Sequence, residues 1–228
     1  MRITVQTIAA TKDYFVGSSR IQAVRQVDFA AQKGELVCVS GRSGSGKSTL
    51  LNLLAGLEKP TSGQIILLNR HIEQMTETQR IRFRRDFVGF VFQSYNLLPQ
   101  FSALENVALP LALRGTPTAE RMRRAMEMLE LVGLSDHAAH KPSELSGGQQ
   151  QRVGIARAII TKPGIVFADE PTGNLDTKTG DEIMRLLIRI FHDWKTTLIL
   201  VSHDPEMRRY TDREVRMLDG QLEAPTAD

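Results

Sequence analysis

The sequence has few of the features that would place it outside a cell or inside a membrane. Cys38 is the one cysteine among 228 residues, so the chain cannot form an internal disulfide. The N-terminus, MRITVQTIAATKDY, lacks the continuous apolar segment of a secretory signal. No run of about eighteen apolar residues occurs, so no transmembrane helix is predicted. We therefore expect a cytoplasmic protein in which Cys38 is a small buried side chain without a catalytic role.

A strong excess of one charge is also missing. The chain carries 29 basic and 26 acidic residues, a net charge of +3. The densest basic stretch, QRIRFRRDF, is interpreted as a solvated helix face and not as a nucleic-acid site. The hydrophobic and charged fractions, 41% and 24%, are ordinary for a globular protein, and the length suits one domain.

Apolar runs alternate with helical patterns in both halves of the chain. LVCVS, FVGFVF, IVFADE and TLILVSH are predicted strands, and helices between them favour a mostly parallel sheet covered on both faces. Upstream, MRITVQTI and AVRQVDFAA have the alternating pattern of strands. From about residue 94 to 155 the pattern is helical, which indicates an inserted helical part. Near the C-terminus a hairpin is predicted to turn at Asp219-Gly220.

The stretch GRSGSGKST fits the phosphate-loop pattern G-x-x-x-x-G-K-[ST] from Gly41 to Ser48, between a buried strand and a helix. Glycines let backbone N–H groups approach phosphate oxygens, and the helix N-terminus adds partial positive charge. Lys47 is expected to reach the β- and γ-phosphates and Ser48 to bind Mg²⁺. The other predicted nucleotide contacts of this loop are Ser43, Gly44, Gly46 and Thr49. A plain glycine turn is the alternative.

Polar residues follow three of the predicted strands. Asp169 and Glu170 end IVFADE, and we expect Asp169 to hold Mg²⁺, most simply through a water, while Glu170 polarises the attacking water. The alternative interpretation is that one of these two carboxylates is a helix N-cap and the other is exposed to solvent. His203 follows TLILVS and is expected to bond the γ-phosphate and orient the water. Gln93 follows FVGFVF and can contact Mg²⁺ or the attacking water.

The order and spacing of these motifs resemble the ATP-binding subunits of ABC transporters over essentially the whole chain. The elements are the phosphate loop, Gln93, LSGGQ at 145–149, IVFADE, NLD at 174–176 and His203. The resemblance implies a Mg²⁺-dependent ATPase in one domain, 1–228. Its expected fold is α/β: a P-loop NTPase (RecA-like) core with a mostly parallel sheet, an antiparallel N-terminal β part and an inserted helical subdomain. The core would comprise 1–93 and 156–228, and the helical signature subdomain 94–155.

The resemblance also assigns the second glycine turn, LSGGQ, to a head-to-tail dimer. There it caps the γ-phosphate of ATP held by a second copy, through Ser146, Gly147, Gly148 and Gln149. Asp176 would lie at the dimer seam and couple the two sites. Tyr14 occupies the aromatic position that stacks on adenine, although Phe15 competes for this role and either residue also suits a core position.

Three stretches, GFVFQSYNLLP, ALENVALPL and ADEPTGNLDTKTG, resemble the subgroup that contains macrolide-exporter and lipoprotein-release ATPases. Such subunits pair with separate membrane proteins, which implies a peripheral location on the inner face of the cell membrane. The membrane subunit is expected to dock near Gln93–Glu105, against an apolar lining of Tyr95, Leu97, Leu98 and Phe101. These four residues fit the core of the insert equally well.

The alternative hypothesis is a soluble ABC ATPase. Such a protein would serve as an assembly scaffold, or would act on nucleic acid or ribosomes. A single cassette with a compact insert disfavours nucleic acid as a partner, and the subgroup stretches disfavour the scaffold. The sequence does not name the transported substrate, because specificity lies in the membrane subunit.

Overall fold

The computed structural model describes residues 2–223, and the contacts within the chain form two compact units. The first unit contains the residues up to Arg84 together with those from Lys195 onward, and the second contains Arg85–Trp194. The predicted boundary at residue 155 falls inside a helix of the second unit, Gly147–Ile159. As a functional division, the split at residues 93 and 155 stays a prediction.

An antiparallel sheet opens the first unit. It comprises β1 (Ile3–Val16), β2 (Ser19–Gln32), β4 (Ser62–Leu67) and β5 (Arg70–His71), in the order β2-β1-β4-β5. Side chains alternate between the two faces of such strands, and this explains why apolar positions such as Val27 and Phe29 are buried beside exposed neighbours. Ala9 and Gln26 have φ angles of 47° and 46° where the β1–β2 register shifts.

Parallel strands make the rest of the first unit. β3 (Leu36–Ser40) pairs with β8 (Thr197–Ser202) and β9 (Arg213–Leu218), and β10 (Gln221–Leu222) adds to β9 in antiparallel. The predicted hairpin turn is confirmed, since Asp219 and Gly220 both have positive φ. Helix α1 (Lys47–Leu54) follows β3 and buries its leucines. Cys38 on β3 is buried, and burial raises the pKa of its thiol to about 12, which suits an inert packing residue.

The second unit contains a parallel strand pair and most of the helices. β6 (Val88–Phe92) pairs with β7 (Ile165–Asp169). The helices are α3 (Ala103–Leu113), α4 (Thr118–Leu131), α5 (Gly147–Ile159) and α6 (Thr177–Trp194), with short 3₁₀ turns at Ser135–His137 and Pro142–Glu144. Helix α2 (Glu77–Phe87) carries the chain from the first unit into the second. It includes Phe87, although the apolar pattern FVGFVF predicts this residue in the following strand, which begins at Val88.

The predicted fold class is confirmed: an antiparallel N-terminal sheet, parallel strands with helices, and a helical part between β6 and β7. Helix α6 buries a stripe that includes Ile183, Leu186, Leu187 and Ile190, and their spacing of three and four residues is typical of an amphipathic helix. In α4 only Ala125 and Leu129 are buried, and Met126 is exposed. Within residues 2–223 no helix combines the length and the apolar character needed to cross a bilayer.

Candidate functional site

The phosphate loop leaves the end of β3 and enters α1 through two glycines that no other residue could replace. A Cβ on Gly41 would lie 2.3 Å from the carbonyl oxygen of Met217, and one on Gly46 would lie 2.2 Å from that of Ala23. Both glycines also have positive φ, 147° and 101°. The close approach of backbone to backbone therefore shapes this loop before any ligand binds.

The inner surface of the loop is polar and suits phosphate. Gly46 is the N-cap of α1 and offers no side chain to its first N–H groups, so these donors point outward with the positive end of the helix dipole. The hydroxyl of Ser45 is buried and has no hydrogen-bond partner among residues 2–223. A buried polar atom without a partner beside a helix N-terminus fits a site that receives oxygen atoms.

Lys47 lies across the loop instead of extending into solvent. Its side chain is buried, and its Nζ donates hydrogen bonds to the carbonyl oxygens of Gly41 and Arg42, both at 2.9 Å. The ammonium group is therefore already oriented toward the centre of the loop. Ser48, in contrast, is exposed at the start of α1.

His203 follows the fully buried strand β8 and shares a cavity with the phosphate loop. The cavity has a volume of about 690 Å³, and its lining includes Ser40, Gly41, Arg42 and His203. Asp204 begins the next 3₁₀ turn, where its carboxylate accepts the N–H of Glu206 at 2.9 Å. The parallel order of β3 and β8 brings the two loops to one edge of the sheet, as the sequence predicts.

Tyr14 and Phe15, the two candidates for adenine stacking, differ in environment. The Tyr14 hydroxyl donates to Glu58 Oε2 at 2.7 Å, and the ring is half-buried. Burial and the neighbouring Glu58 carboxylate raise the pKa of Tyr14. Phe15 is 72% exposed. The Tyr14 ring is thus held in one orientation by its hydroxyl.

Gln93 and Glu170 come together because β6 and β7 are parallel and in register. Phe92 pairs with Asp169, so the next residue on each strand is Gln93 and Glu170. Both side chains lie against Gly173: a Cβ there would be 2.6 Å from Gln93 Nε2 and 3.3 Å from Glu170 Oε2. Glu170 has a φ angle of 45°, a left-handed conformation that is uncommon outside glycine and often marks a functional site.

Asn174 connects to Gln93 by two hydrogen bonds and was not selected by the sequence reasoning. Its Nδ2 donates to the Gln93 carbonyl at 3.0 Å, and Gln93 Nε2 donates to Asn174 Oδ1 at 3.4 Å. The NLD motif includes this residue, but the family resemblance predicts a role only for Asp176. Asp176 caps α6, because its Oδ1 accepts the Thr179 N–H at 3.0 Å. Hydrogen bonds from the Thr179 side chain and from this N–H lower the pKa of the Asp176 carboxyl.

The second glycine turn is the N-terminus of α5, with Ser146 as the N-cap. Ser146 Oγ accepts the N–H of Gln149 at 3.3 Å, and Gln149 Oε1 accepts the N–H of Ser146 at 2.9 Å. Gln149 is therefore engaged within its own turn, and its Nε2 lies 3.0 Å from His137 Nε2. Ser146 itself is exposed, so its hydroxyl can also donate to an outside acceptor.

The two glycines of this turn are tightly packed within the chain. A Cβ on Gly147 would lie 2.9 Å from the Tyr95 hydroxyl, and one on Gly148 would lie 2.6 Å from Thr179 Cγ2. Tyr95 is thus in contact with this second glycine turn, LSGGQ at 145–149, which we call the signature turn. Burial raises the pKa of Tyr95. Leu97, Leu98 and Phe101, the rest of the predicted apolar lining, are neither fully buried nor fully exposed.

Several side chains carry oxygen atoms that could bind a Mg²⁺ ion held mainly by nucleotide phosphates. Mg²⁺ prefers oxygen ligands and is usually held by one or two carboxylates together with substrate phosphates. Each unit contains oxygen atoms of this kind: the Ser48 hydroxyl in the first, and the Asp169 carboxylate and the Gln93 amide in the second. Within residues 2–223 there is no cluster of three or more His, Cys, Asp or Glu side chains for a metal, and a phosphate-bound Mg²⁺ does not need one.

A phosphate loop, an acid pair at the end of a buried strand and a second glycine turn capping a helix define a P-loop ATPase of the cassette type. The chain belongs to the ABC transporter family, whose profile matches residues 24–173. It is the ATP-binding subunit of an ABC transporter and an ABC-type ATPase.

Similar proteins cover nearly the whole length. An uncharacterised ABC transporter ATP-binding protein of Thermotoga maritima is 48% identical over 98% of this chain and 95% of its own. The lipoprotein-releasing system ATP-binding protein LolD of a Shewanella species is 42% identical over 97% and 96%. Among solved structures, the dimeric post-hydrolysis state of the cassette MJ0796 bound to ADP and phosphate is 42% identical, covers 96% of this chain and 97% of that one, and has a TM-score of 0.90.

Proposed function

We propose that two copies of this chain associate head to tail around ATP, hydrolyse it with Mg²⁺, and drive a separate membrane subunit at the inner face of the cell membrane. The observation that carries the hydrolytic role is the convergence of the Gln93 amide and the Glu170 carboxylate on Gly173. The similarity to LolD over 97% of this chain and 96% of that one supports a task of the lipoprotein-release type. Within this function, 94–155 is the helical signature subdomain, and 1–93 with 156–228 is the nucleotide-binding core.

Nucleotide binding is assigned to the phosphate loop and to Tyr14. Lys47 exchanges its two carbonyl partners for oxygens of the β- and γ-phosphates, which its buried position favours. The Tyr14 ring stacks on adenine with its hydroxyl tied to Glu58. Backbone and side-chain donors of the loop complete the binding of the phosphates: Gly41, Ser43, Gly44, Gly46, Ser48 and Thr49.

Hydrolysis is assigned to Glu170, with Gln93 and His203 as polar partners. Glu170 accepts a hydrogen bond from the water that attacks the γ-phosphorus, and ADP leaves as the bond to the bridging oxygen breaks. His203 donates to a γ-phosphate oxygen, and Gln93 orients the water. Mg²⁺, when bound, neutralises part of the phosphate charge, and Ser48, Gln93 and Asp169 would hold it.

The signature turn is assigned to the ATP of the other copy. Ser146 is exposed at the N-terminus of α5, where donors and the helix dipole favour an anion. Gly147, Gly148 and the Gln149 N–H shape the same turn. Asp176, which caps α6, lies at the seam between the two copies in this assembly.

Glu170→Gln tests the hydrolytic role and the assembly together. The variant keeps the size of the side chain and removes the base, so it should bind ATP, stop turnover and accumulate as a dimer with ATP and Mg²⁺. Gel filtration with and without nucleotide measures this, and wild type serves as the control because it should dimerise only transiently. A variant that stays monomeric and hydrolyses ATP at the wild-type rate would overturn both assignments.

The membrane partner is tested by co-purification. The affinity-tagged full chain should retain an integral membrane protein after detergent extraction, whereas Leu97→Gln with Phe101→Gln should retain less of it while binding ATP normally. Loss of ATP binding in that variant would show that the two side chains are core residues. Recovery of soluble proteins or nucleic acid alone would instead favour the scaffold or nucleic-acid function.

A further inference from the structure

Gln151, two residues beyond the signature turn on α5, is a fully buried polar side chain that the proposed mechanism does not use. It is 0% exposed, and its Nε2 donates to the carbonyl oxygen of Pro171 at 2.5 Å. A carbonyl oxygen can only accept, so the NH₂ end of the amide must face Pro171. The orientation of the Gln151 side chain is therefore determined.

The acceptor of this bond belongs to the residue that follows Glu170. On the other side of the same turn, the Gly173 N–H donates to the Glu170 carbonyl at 3.0 Å. Two consecutive carbonyl groups, of Glu170 and Pro171, are thus held while Glu170 has its left-handed φ of 45°. Pro171 lacks an N–H group, so the turn relies on bonds to its carbonyls.

The other end of the Gln151 amide argues against a role in packing alone. Its Oε1 is buried and has no hydrogen-bond partner within residues 2–223. An unpaired buried oxygen is unfavourable, and an apolar side chain of the same size would avoid it. The amide at this position is therefore best explained by what its Nε2 does for the turn at Glu170.

We propose that Gln151 is a positioning residue for hydrolysis: it holds the Pro171 carbonyl and thereby aims the Glu170 carboxylate at the attacking water. The inference rests on the proposed role of Glu170 as the base. It links the helix that begins at the signature turn to the turn that carries the base, through one side chain of the second unit.

The adjacent Gln150 offers a matched control. It is half-buried on the same helix, and its Nε2 also donates to a backbone carbonyl, that of Leu145, at 3.1 Å. That bond lies at the start of α5 and not at the catalytic turn. Gln150→Met and Gln151→Met therefore remove the same donor and keep similar volume, but only the second affects Pro171.

The experiment measures steady-state ATP hydrolysis by the full chain with Mg²⁺. Gln151→Met should lower kcat by about tenfold to a hundredfold, the scale of a misplaced catalytic group, and leave the KM for ATP within about threefold. Gln150→Met should retain wild-type kcat within about threefold. Equal kcat values for the two variants would overturn the proposal.

A second variant separates positioning from folding. Gln151→Glu has the same shape, and only its protonated form can donate to the Pro171 carbonyl. The ratio of its kcat to the wild-type kcat should rise as pH falls, because more of the carboxyl is protonated, and should decrease as pH rises. Burial should place this titration above the usual pH range of glutamate. A ratio that does not change with pH would contradict the proposal even if Gln151→Met unfolds.

Glu170→Gln distinguishes this inference from the function on which it rests. If Glu170→Gln hydrolyses ATP normally, the proposed base is wrong, and the role of Gln151 fails with it. If Glu170→Gln stalls while Gln151→Met turns over like Gln150→Met, only the role of Gln151 fails. If both hold, Gln151→Met should cause no further loss in the Glu170→Gln background.

Discussion

The side chain of Asn174 donates to the main-chain carbonyl of Gln93 at 3.0 Å, although the two residues are 81 positions apart. Gln93 returns a longer bond to the Asn174 oxygen, at 3.4 Å. The pair connects the residue after β6 with the NLD motif that precedes α6. Gln93 is the residue proposed to orient the attacking water, so the hydrogen bonds with Asn174 that hold it in place should also affect hydrolysis.

Asn174→Ala should lower kcat about tenfold with little change in the KM for ATP, because Gln93 loses its fixed orientation. Combining it with Gln93→Ala should cost no more than Gln93→Ala alone, since both changes remove the same interaction. Steady-state hydrolysis by wild type, the two single variants and the double variant gives the double-mutant cycle that measures this coupling. Fully additive losses would show that Asn174 acts independently of Gln93.

Arg157 should contribute to stability by holding a turn with strained backbone. Its guanidinium donates to the carbonyl oxygens of Tyr95 and Asn96, both at 2.7 Å, and these residues have φ angles of 59° and 49°. Burial lowers the pKa of the Arg157 guanidinium, because burial disfavours the charged form. Arg157→Met should reduce the free energy of unfolding by about 2–3 kcal/mol in urea titrations.

Two comparisons sharpen the Arg157 experiment. Arg123→Met, at an exposed ion pair with Glu127, should change the free energy of unfolding by less than about 0.5 kcal/mol. Asn96→Gly should recover part of the loss caused by Arg157→Met, because glycine adopts positive φ without strain. An Arg157→Met variant as stable as the Arg123→Met protein would be inconsistent with this role.

Ser146 is the position at which to test whether the signature turn acts on the other copy. Substitution of Gly148 would disturb Thr179 in the same chain, since a Cβ there lies 2.6 Å from Cγ2. Ser146→Asp and Ser146→Asn both preserve a good N-cap, but only Asp adds a negative charge. Ser146→Asp should bind ATP as a monomer and fail to dimerise, and Ser146→Asn should dimerise better.

A mixed dimer gives the decisive measurement for the signature turn. Lys47→Ala combined with Ser146→Asp produces one site that carries both changes and one site made of two intact halves. That heterodimer should trap nucleotide in the presence of vanadate, whereas the two variant homodimers should not. Equal trapping by all three would mean that the signature turn does not act across an interface.

Glu58 should make stability depend on pH in the acidic range. Burial favours a raised pKa for its carboxyl, but hydrogen bonds from Tyr14, Lys12 and Asn52 outweigh burial and leave the pKa below its usual value of 4.5. A depressed carboxyl pKa stabilises the folded state above about pH 4.5, and this contribution is lost as pH falls through the lower folded value.

Glu58→Gln should therefore be less stable than wild type at neutral pH, by no more than about 1 kcal/mol because the cluster is partly exposed to solvent. The difference should disappear as the solution is acidified below the folded pKa. Urea unfolding of both proteins at several pH values checks this. A constant difference across the acidic range would indicate that the carboxylate charge contributes nothing.

Local patterns were sufficient for much of the fold and for the main motifs. LVCVS and TLILVS are fully buried strands, as their continuous apolar runs predict, and Gly41–Ser48 follows the first of them. The N-terminal strands and the hairpin at Asp219-Gly220 also follow from alternation and turn residues, whereas the antiparallel arrangement of the N-terminal part is what the family resemblance implies. These features depend on residues adjacent in the chain, whose burial and backbone preferences leave few alternatives.

The sequence by itself determined the phosphate loop, the acid pair at the end of β7 and the signature turn, because each is a short motif whose geometry is local. Only the tertiary structure decided which distant groups support them. In the folded chain Gln151 donates a hydrogen bond to Pro171, Asn174 to Gln93, and Tyr14 to Glu58. Such contacts depend on strand register and helix packing, which bring together residues that no periodicity or spacing in the chain connects.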